Sequence, residues 1–193
     1  MEKLTGKKIN VAVFISGRGS NLKNLIKYSK SKYSQIKIKL VISNKFNAKG
    51  LIFAKNNNIK YFTINYENFD ISEKKILKIL YIYKIELICL AGFMKIISEN
   101  FIKKFKKPIL NIHPSLLPRY KGLNPHNKVL KNKEKFSGAT VHLVTKKLDS
   151  GKIILQKKIR VLKNDNIKTL EKKILEVEHK LYPKAIKKFL LNL

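Results

Sequence analysis

Ile9-Asn10-Val11-Ala12-Val13-Phe14-Ile15-Ser16-Gly17-Arg18-Gly19-Ser20-Asn21-Leu22 is the stretch whose reading decides the fold. Its first seven residues form a nearly continuous apolar run, the pattern of a strand buried on both faces of a parallel sheet. A glycine-containing turn follows, and Leu22, Leu25 and Ile26 then fall at helical spacing. Strand, Gly-rich turn and helix together suit an anion: the glycines let backbone approach it, and helix amides with Ser20 and Asn21 can hold it. A dinucleotide fingerprint does not fit, because Leu22 stands where the third glycine is needed and the second strand ends in Ser43-Asn44, not in an acid. A P-loop does not fit either, for want of Gly-Lys-Ser/Thr. The plainer reading is a tight turn with Ser20 as helix cap.

Outward from that stretch the alternation continues. Strands are expected at 36–43, 59–64 and 86–91, and helices at 49–57 and 72–84, the latter capped by Ser72 with Ile76, Ile79 and Leu80 inside. Strands separated by helices of this length are βαβ units of a parallel sheet. Ligands of such sheets bind beyond the carboxyl ends of the strands, where the 17–21 turn and the loop Gly92-Phe93-Met94-Lys95-Ile96-Ile97-Ser98 both fall. Phe93 and Met94 suit either a wall for a flat ligand or the core beneath the next helix. A short helix is expected over 124–134, and 136–144 with 152–159 reads as an antiparallel pair appended to the sheet. From Asp165 a long lysine-rich helix sets Leu170, Ile174, Val177 and Leu181 on one face, with Pro183 expected to bend or restart it. The fold class is therefore α/β: a single-domain, Rossmann-like, mostly parallel sheet with an antiparallel C-terminal strand pair and helices on both faces. No linker or repeat interrupts residues 1–193.

The 193 residues, 44% of them hydrophobic, suffice for a core without staples. The single cysteine, Cys89, lies in an apolar run and reads as a packed hydrophobe. The N-terminus lacks the features of a secretory leader, and no stretch approaches the roughly 18 apolar residues of a membrane span, so a cytoplasmic protein is expected. A net charge of +31 invites a nucleic-acid reading. Against it, only Arg18, Arg119 and Arg160 among the 43 basic residues are arginine, and the lysines are spread evenly with no run longer than two. Compositional drift accounts for the charge, whose field also favours small anionic substrates.

The chemistry points to Asn111-Ile112-His113-Pro114-Ser115-Leu116-Leu117-Pro118-Arg119-Tyr120. Pro108-Ile109-Leu110 leads into a buried strand, so Asn111 and His113, two apart, project from one face at its end. Pro114 biases His113 to extended geometry. A carboxamide can donate to a developing oxyanion, and an imidazole can move a proton near neutral pH. The alternative is that both satisfy loop backbone. Asp149, before Ser150-Gly151, is by itself a good turn residue.

Four motifs in order, 15–22, 90–98, 111–118 and 138–151 with Asp149, closely resemble the folate-dependent glycinamide ribonucleotide formyltransferases over nearly the full chain. The resemblance implies direct transfer of a formyl group from N10 of 10-formyltetrahydrofolate to the glycine amine of the ribonucleotide, through a tetrahedral intermediate. No Gly-x-Ser-x-Gly elbow or exposed cysteine offers a nucleophile in its place. By the same matching, Asn111 would bond the oxyanion. His113 would stabilise it and shuttle protons, and Asp149 would raise the His113 pKa and orient it. Gly19, Ser20 and Asn21 would hold the ribonucleotide phosphate, and Glu178 its ribose. Met94, Lys95, Ile96 and Ile97, with Asn111 and the Thr145, Lys146, Lys147, Leu148, Asp149 loop, would line the pterin slot. His142 would support the site. No metal is implied, the partners are small molecules, and the protein would be a monomer or homodimer. A basic folate contact near Ser72, Glu73 and Lys74 is not placed. Asn124-Pro125-His126 departs from the His-Thr-His common in the family. A methionyl-tRNA formyltransferase shares Asn-x-His and the later Asp, but normally adds a nucleic-acid-binding domain, for which no residues follow the last helix; a non-catalytic anion- or RNA-binding domain leaves the three-residue constellation unexplained.

Overall fold

The computed structural model describes residues 8–192. The N-terminal stretch read for a secretory leader lies, up to Lys7, outside the described residues. Seven strands form one sheet, in the spatial order third, second, first, fourth, fifth, sixth and seventh by place in the chain. By internal contacts the chain divides into two compact units, one up to Leu110 and one from Asn111.

The first unit holds β1 (Ile9–Ile15), α1 (Ser20–Ser29), β2 (Ile36–Ser43), α2 (Leu51–Lys55), β3 (Lys60–Thr63), α3 (Phe69–Ile82), β4 (Leu87–Leu90) and α4 (Glu99–Phe105). β1 pairs in parallel with β2 and with β4, and β2 in parallel with β3. Val11 to Ile15 and Leu87 to Cys89 are wholly buried, as runs without alternation require of strands covered on both faces. α2 is shorter than expected, because its surroundings bury little but Ala54. α3 begins three residues before Ser72. Asn68 caps it by accepting from the Ile71 amide, while Ser72, inside the helix, donates back to the Asn65 and Asn68 carbonyls. Ser98 caps α4, accepting from the Phe101 amide at 3.0 Å.

β5 (Ile109–His113) crosses the boundary between the units. The second unit continues with α5 (Pro125–Lys131), β6 (Phe136–Leu143), β7 (Ile153–Arg160) and α6 (Ile167–Leu191). β6 and β7 pair antiparallel, as their alternation predicts. α6 starts on a capping box of Asn166 and Thr169. Of the two outcomes expected at Pro183, a restart does not occur, because the helix runs through it unbroken. An interior proline costs roughly 3 kcal/mol. Here Tyr182, Ala185 and Ile186, all fully buried, hold the helix on both sides of it. Its buried stripe runs Leu170, Ile174, Glu178 and Leu181, so Glu178 takes the inward place expected for Val177, which is half-buried.

Glu73 is 4% exposed, and its carboxylate accepts from the Ser98 amide at 2.9 Å and from the Ser98 hydroxyl, fastening α3 to the start of α4. Glu73→Ala leaves both donors without an acceptor. We expect a loss of about 1–3 kcal/mol of stability, measured as a lowered urea midpoint with helix content unchanged in the folded baseline.

Candidate active site

In the second unit, one carboxylate gathers four partners. Asp149 sits in the loop between β6 and β7 with φ 46, a left-handed conformation that Asp tolerates better than most residues, and it is 8% exposed. Its Oδ2 accepts from the Gly122 amide at 2.9 Å and lies 3.4 Å from His113 Nδ1. Its Oδ1 lies 3.4 Å from both Asn111 Nδ2 and His142 Nε2. Asn111 and His113, alternate residues at the end of β5, therefore do reach one group, as their spacing predicts.

His142 on β6 settles how Asn111 is turned. Its Nδ1 is 2.8 Å from the Leu143 carbonyl, which can only accept, so Nδ1 carries the proton. In the neutral ring Nε2 is then an acceptor, and Asn111 Nδ2, 3.2 Å away, donates to it. The carboxamide is thereby fixed with its NH2 towards His142 and Asp149. One N–H makes a good bond, and the other faces Asp149 across a long 3.4 Å contact.

His113 is buried, and both its nitrogens face acceptors. Nε2 lies 2.9 Å from the Tyr120 carbonyl, and Nδ1 faces Asp149. Only the imidazolium satisfies both. Burial nevertheless dominates and lowers the His113 pKa below the ordinary value; the Tyr120 carbonyl and Asp149 pull it up, but by less. Asp149 thus acts in the expected direction without setting the net result. For Asp149 itself, burial favours the neutral acid, but His142 beside it, the hydrogen bond from the Gly122 amide and the field of His113 outweigh this and hold the carboxyl at about 2.

In the first unit, α1 begins with Gly19 at φ 73 and no side-chain cap, so Ser20 opens the helix without capping it. Glycine is required at 19: a Cβ would lie 2.5 Å from the Gly50 Cα. Gly50 in turn donates its amide to the Gly17 carbonyl at 2.9 Å. In the 92–98 loop the two readings of Phe93 and Met94 divide. Phe93 is half-buried, edge-on to Phe14 and Tyr66, whereas Met94 and Ile96 are 63% and 62% exposed. Ile97 is buried, and Lys95 is exposed. Thr145 to Leu148 are exposed and lead into buried Asp149, while Glu178 is 7% exposed. Ser72 and Glu73 both point inward, so neither offers a contact on the surface. A cleft of about 890 Å3 lined by Leu77, Tyr81, Ile82, Glu86 and Phe105 lies at the other end of β1 and β4, away from these loops.

The Gly122 amide was not found from sequence; only its place in a loop was. The direct grip of His142 on Asn111 was likewise missed. Its one signal is that a histidine interrupts the apolar residues of a strand.

Asp149→Asn tolerates the same backbone and removes the upward pull on His113. We expect the His113 pKa to fall further, read from the pH titration of its ring protons by NMR. Because the Asp149 pKa is depressed, the stability it contributes is present above roughly pH 4 and lost as pH falls towards 2. The Asn variant should lack that part of the acid transition.

A family model described as formyl transferase matches residues 9–186. Phosphoribosylglycinamide formyltransferase of Haemophilus influenzae is 40% identical over 93% of this chain and 86% of its own length. Trifunctional purine biosynthetic protein adenosine-3 of Gallus gallus is 41% identical over 95% of this chain, which spans 19% of that longer protein. The crystal structure of the Brucella melitensis phosphoribosylglycinamide formyltransferase is 40% identical, covers 95% of this chain and 96% of its own, and superposes with a TM-score of 0.90. No helix among the described residues is long and apolar enough to cross a membrane. With its motifs, its strand order and these likenesses in agreement, the chain belongs to the formyl transferase family.

Proposed function

We propose that this chain, as one formyltransferase domain over residues 1–193, transfers the formyl group of 10-formyltetrahydrofolate to the glycine amine of glycinamide ribonucleotide in purine biosynthesis. The observation that carries this reading is the cluster of Asn111, His113 and Asp149 with His142 behind it. The folate supplies an activated formyl carbon and a leaving nitrogen, N10. Asn111 keeps one N–H on His142. Its second, held only loosely by Asp149, turns to the formyl oxygen as negative charge builds there. His113 takes a proton from the attacking amine and returns one to N10, so a C–N bond forms as another breaks and no proton is gained or lost. A ring whose charged form satisfies two acceptors while burial opposes that charge has neither state strongly preferred, which is what a shuttle needs. Asp149 keeps the ring and the carboxamide in register.

The uncapped start of α1 supports Gly19, Ser20 and Asn21 as the site for the ribonucleotide phosphate. For its ribose we assign Glu178. Exposed Met94 and Ile96 suit the flat faces of a pterin, and we assign it Met94, Lys95, Ile96 and Ile97. Asn111 and the Thr145 to Asp149 loop are assigned to the same ligand. The enzyme is read as cytoplasmic, a monomer or homodimer acting on small molecules.

Purified protein with both substrates should release deformylated folate, and a folded protein without turnover overturns the reading. Asn111→Ala should lower kcat about 100- to 1000-fold. His142→Ala should lower kcat by a smaller factor with the KM values nearly unchanged, because it frees the Asn111 carboxamide to rotate without removing a substrate contact. Steady-state kinetics separates the two.

A further inference from the structure

Ser16 stands at the carboxyl end of β1, between the two loops of the first unit to which the proposed function assigns ligands. It is 5% exposed, and its amide and its hydroxyl are both committed to neighbours. Its amide donates to the Gly92 carbonyl at 3.0 Å. Its hydroxyl donates to Asn44 Oδ1, just past β2, and accepts from the Met94 amide at 2.8 Å. A single hydroxyl thus joins the ends of β1, β2 and β4. It lies one residue before the Gly17–Asn21 turn, and its bonds to Gly92 and Met94 span the start of the 92–97 loop.

We infer that Ser16 is a positioning residue that holds the ribonucleotide loop and the folate loop in one fixed relation, so that each is ordered before its ligand arrives. The inference rests on the ligand assignments proposed above. A hydroxyl is suited to the task, since it is the smallest group that donates and accepts at once. Alanine at this position leaves the Met94 amide and the Asn44 carboxamide oxygen without their common partner. One donates and the other accepts, but they were bridged through the hydroxyl and not in contact, so they can meet only if the segments carrying them move. Each loop then settles separately, and each ligand must order its own loop on binding.

The signature is a defect shared by two ligands that Ser16 does not touch. Ser16→Ala should raise KM for glycinamide ribonucleotide and for 10-formyltetrahydrofolate together, by about tenfold each, the factor that one lost hydrogen bond of ordinary strength corresponds to. At saturation of both, kcat should fall less than threefold. Ser20→Ala, which alters the proposed phosphate loop alone, should raise only the ribonucleotide KM. Ser16→Thr keeps the hydroxyl and should recover most of both. A role in stability alone would lower the melting temperature of Ser16→Ala and leave both KM values of the folded enzyme as they were, which overturns the inference, as does a rise in one KM only. If Ser16→Ala does not fold, Ser16→Cys, of similar shape and weaker hydrogen bonding, carries the same comparison. Failure of the unmodified enzyme to turn over overturns the proposed reaction and this inference with it, and is distinguished by being present before any substitution.

Discussion

The carboxylate of Asp149 is where the chemistry of the second unit is decided. Two oxygens face an imidazole, a second imidazole, a carboxamide and a backbone amide. The three side chains are each held by a second partner as well. His113 has the Tyr120 carbonyl, and Asn111 has His142, which has the Leu143 carbonyl. The result is a network in which the shorter bonds fix orientation, while the 3.4 Å contacts to the carboxylate stay weak enough to be exchanged for bonds to a substrate. Rigid support with one slack donor is what the proposed oxyanion role asks of such a network.

The charge of the chain gives that carboxylate its setting. Of 12 acidic residues against 43 basic ones, the buried acids among the described residues are Glu73, Asp149 and Glu178. Glu73 anchors the helix that follows the 92–98 loop, and Asp149 lies against Asn111 and His113. These few buried acids hold geometry, while the lysine surplus lies outside. A surface field of that sign draws anions to every part of the molecule, and what selects among them is the placement of a few buried groups.

Much of this could be read before any coordinates. β1, the glycine turn and α1 were legible because burial on both faces leaves a run without polar interruption. The pair on β5 was legible because the strand period is two. Less was available where tertiary contacts outvote local pattern. α4 spans seven residues with lysines in its last turn, too few for a periodicity. Ser72 looks like a cap, yet Asn68 serves instead, since the chain turns one helical turn earlier. Pro183 breaks a helix by local rule, but here it lies between residues whose burial holds the helix together. The direction of the His113 pKa was the furthest from reach. The neighbouring acid is visible in a motif, whereas the larger opposing effect, loss of water around the ring, exists only once the chain is folded.

Gly19 and Gly50 carry a last implication. Their backbones approach so closely that a methyl on either would collide with the Cα of the other, and the Gly50 amide also holds the Gly17 carbonyl. The shape of the turn after β1 is therefore templated by a segment that leads into α2, with which it shares no stretch of sequence. A residue inserted or deleted between Asn44 and Gly50 would shift the turn as a mould shifts its cast. On the proposed reading, a chain altered there would discriminate differently among phosphorylated acceptors, although the altered residues touched none of them.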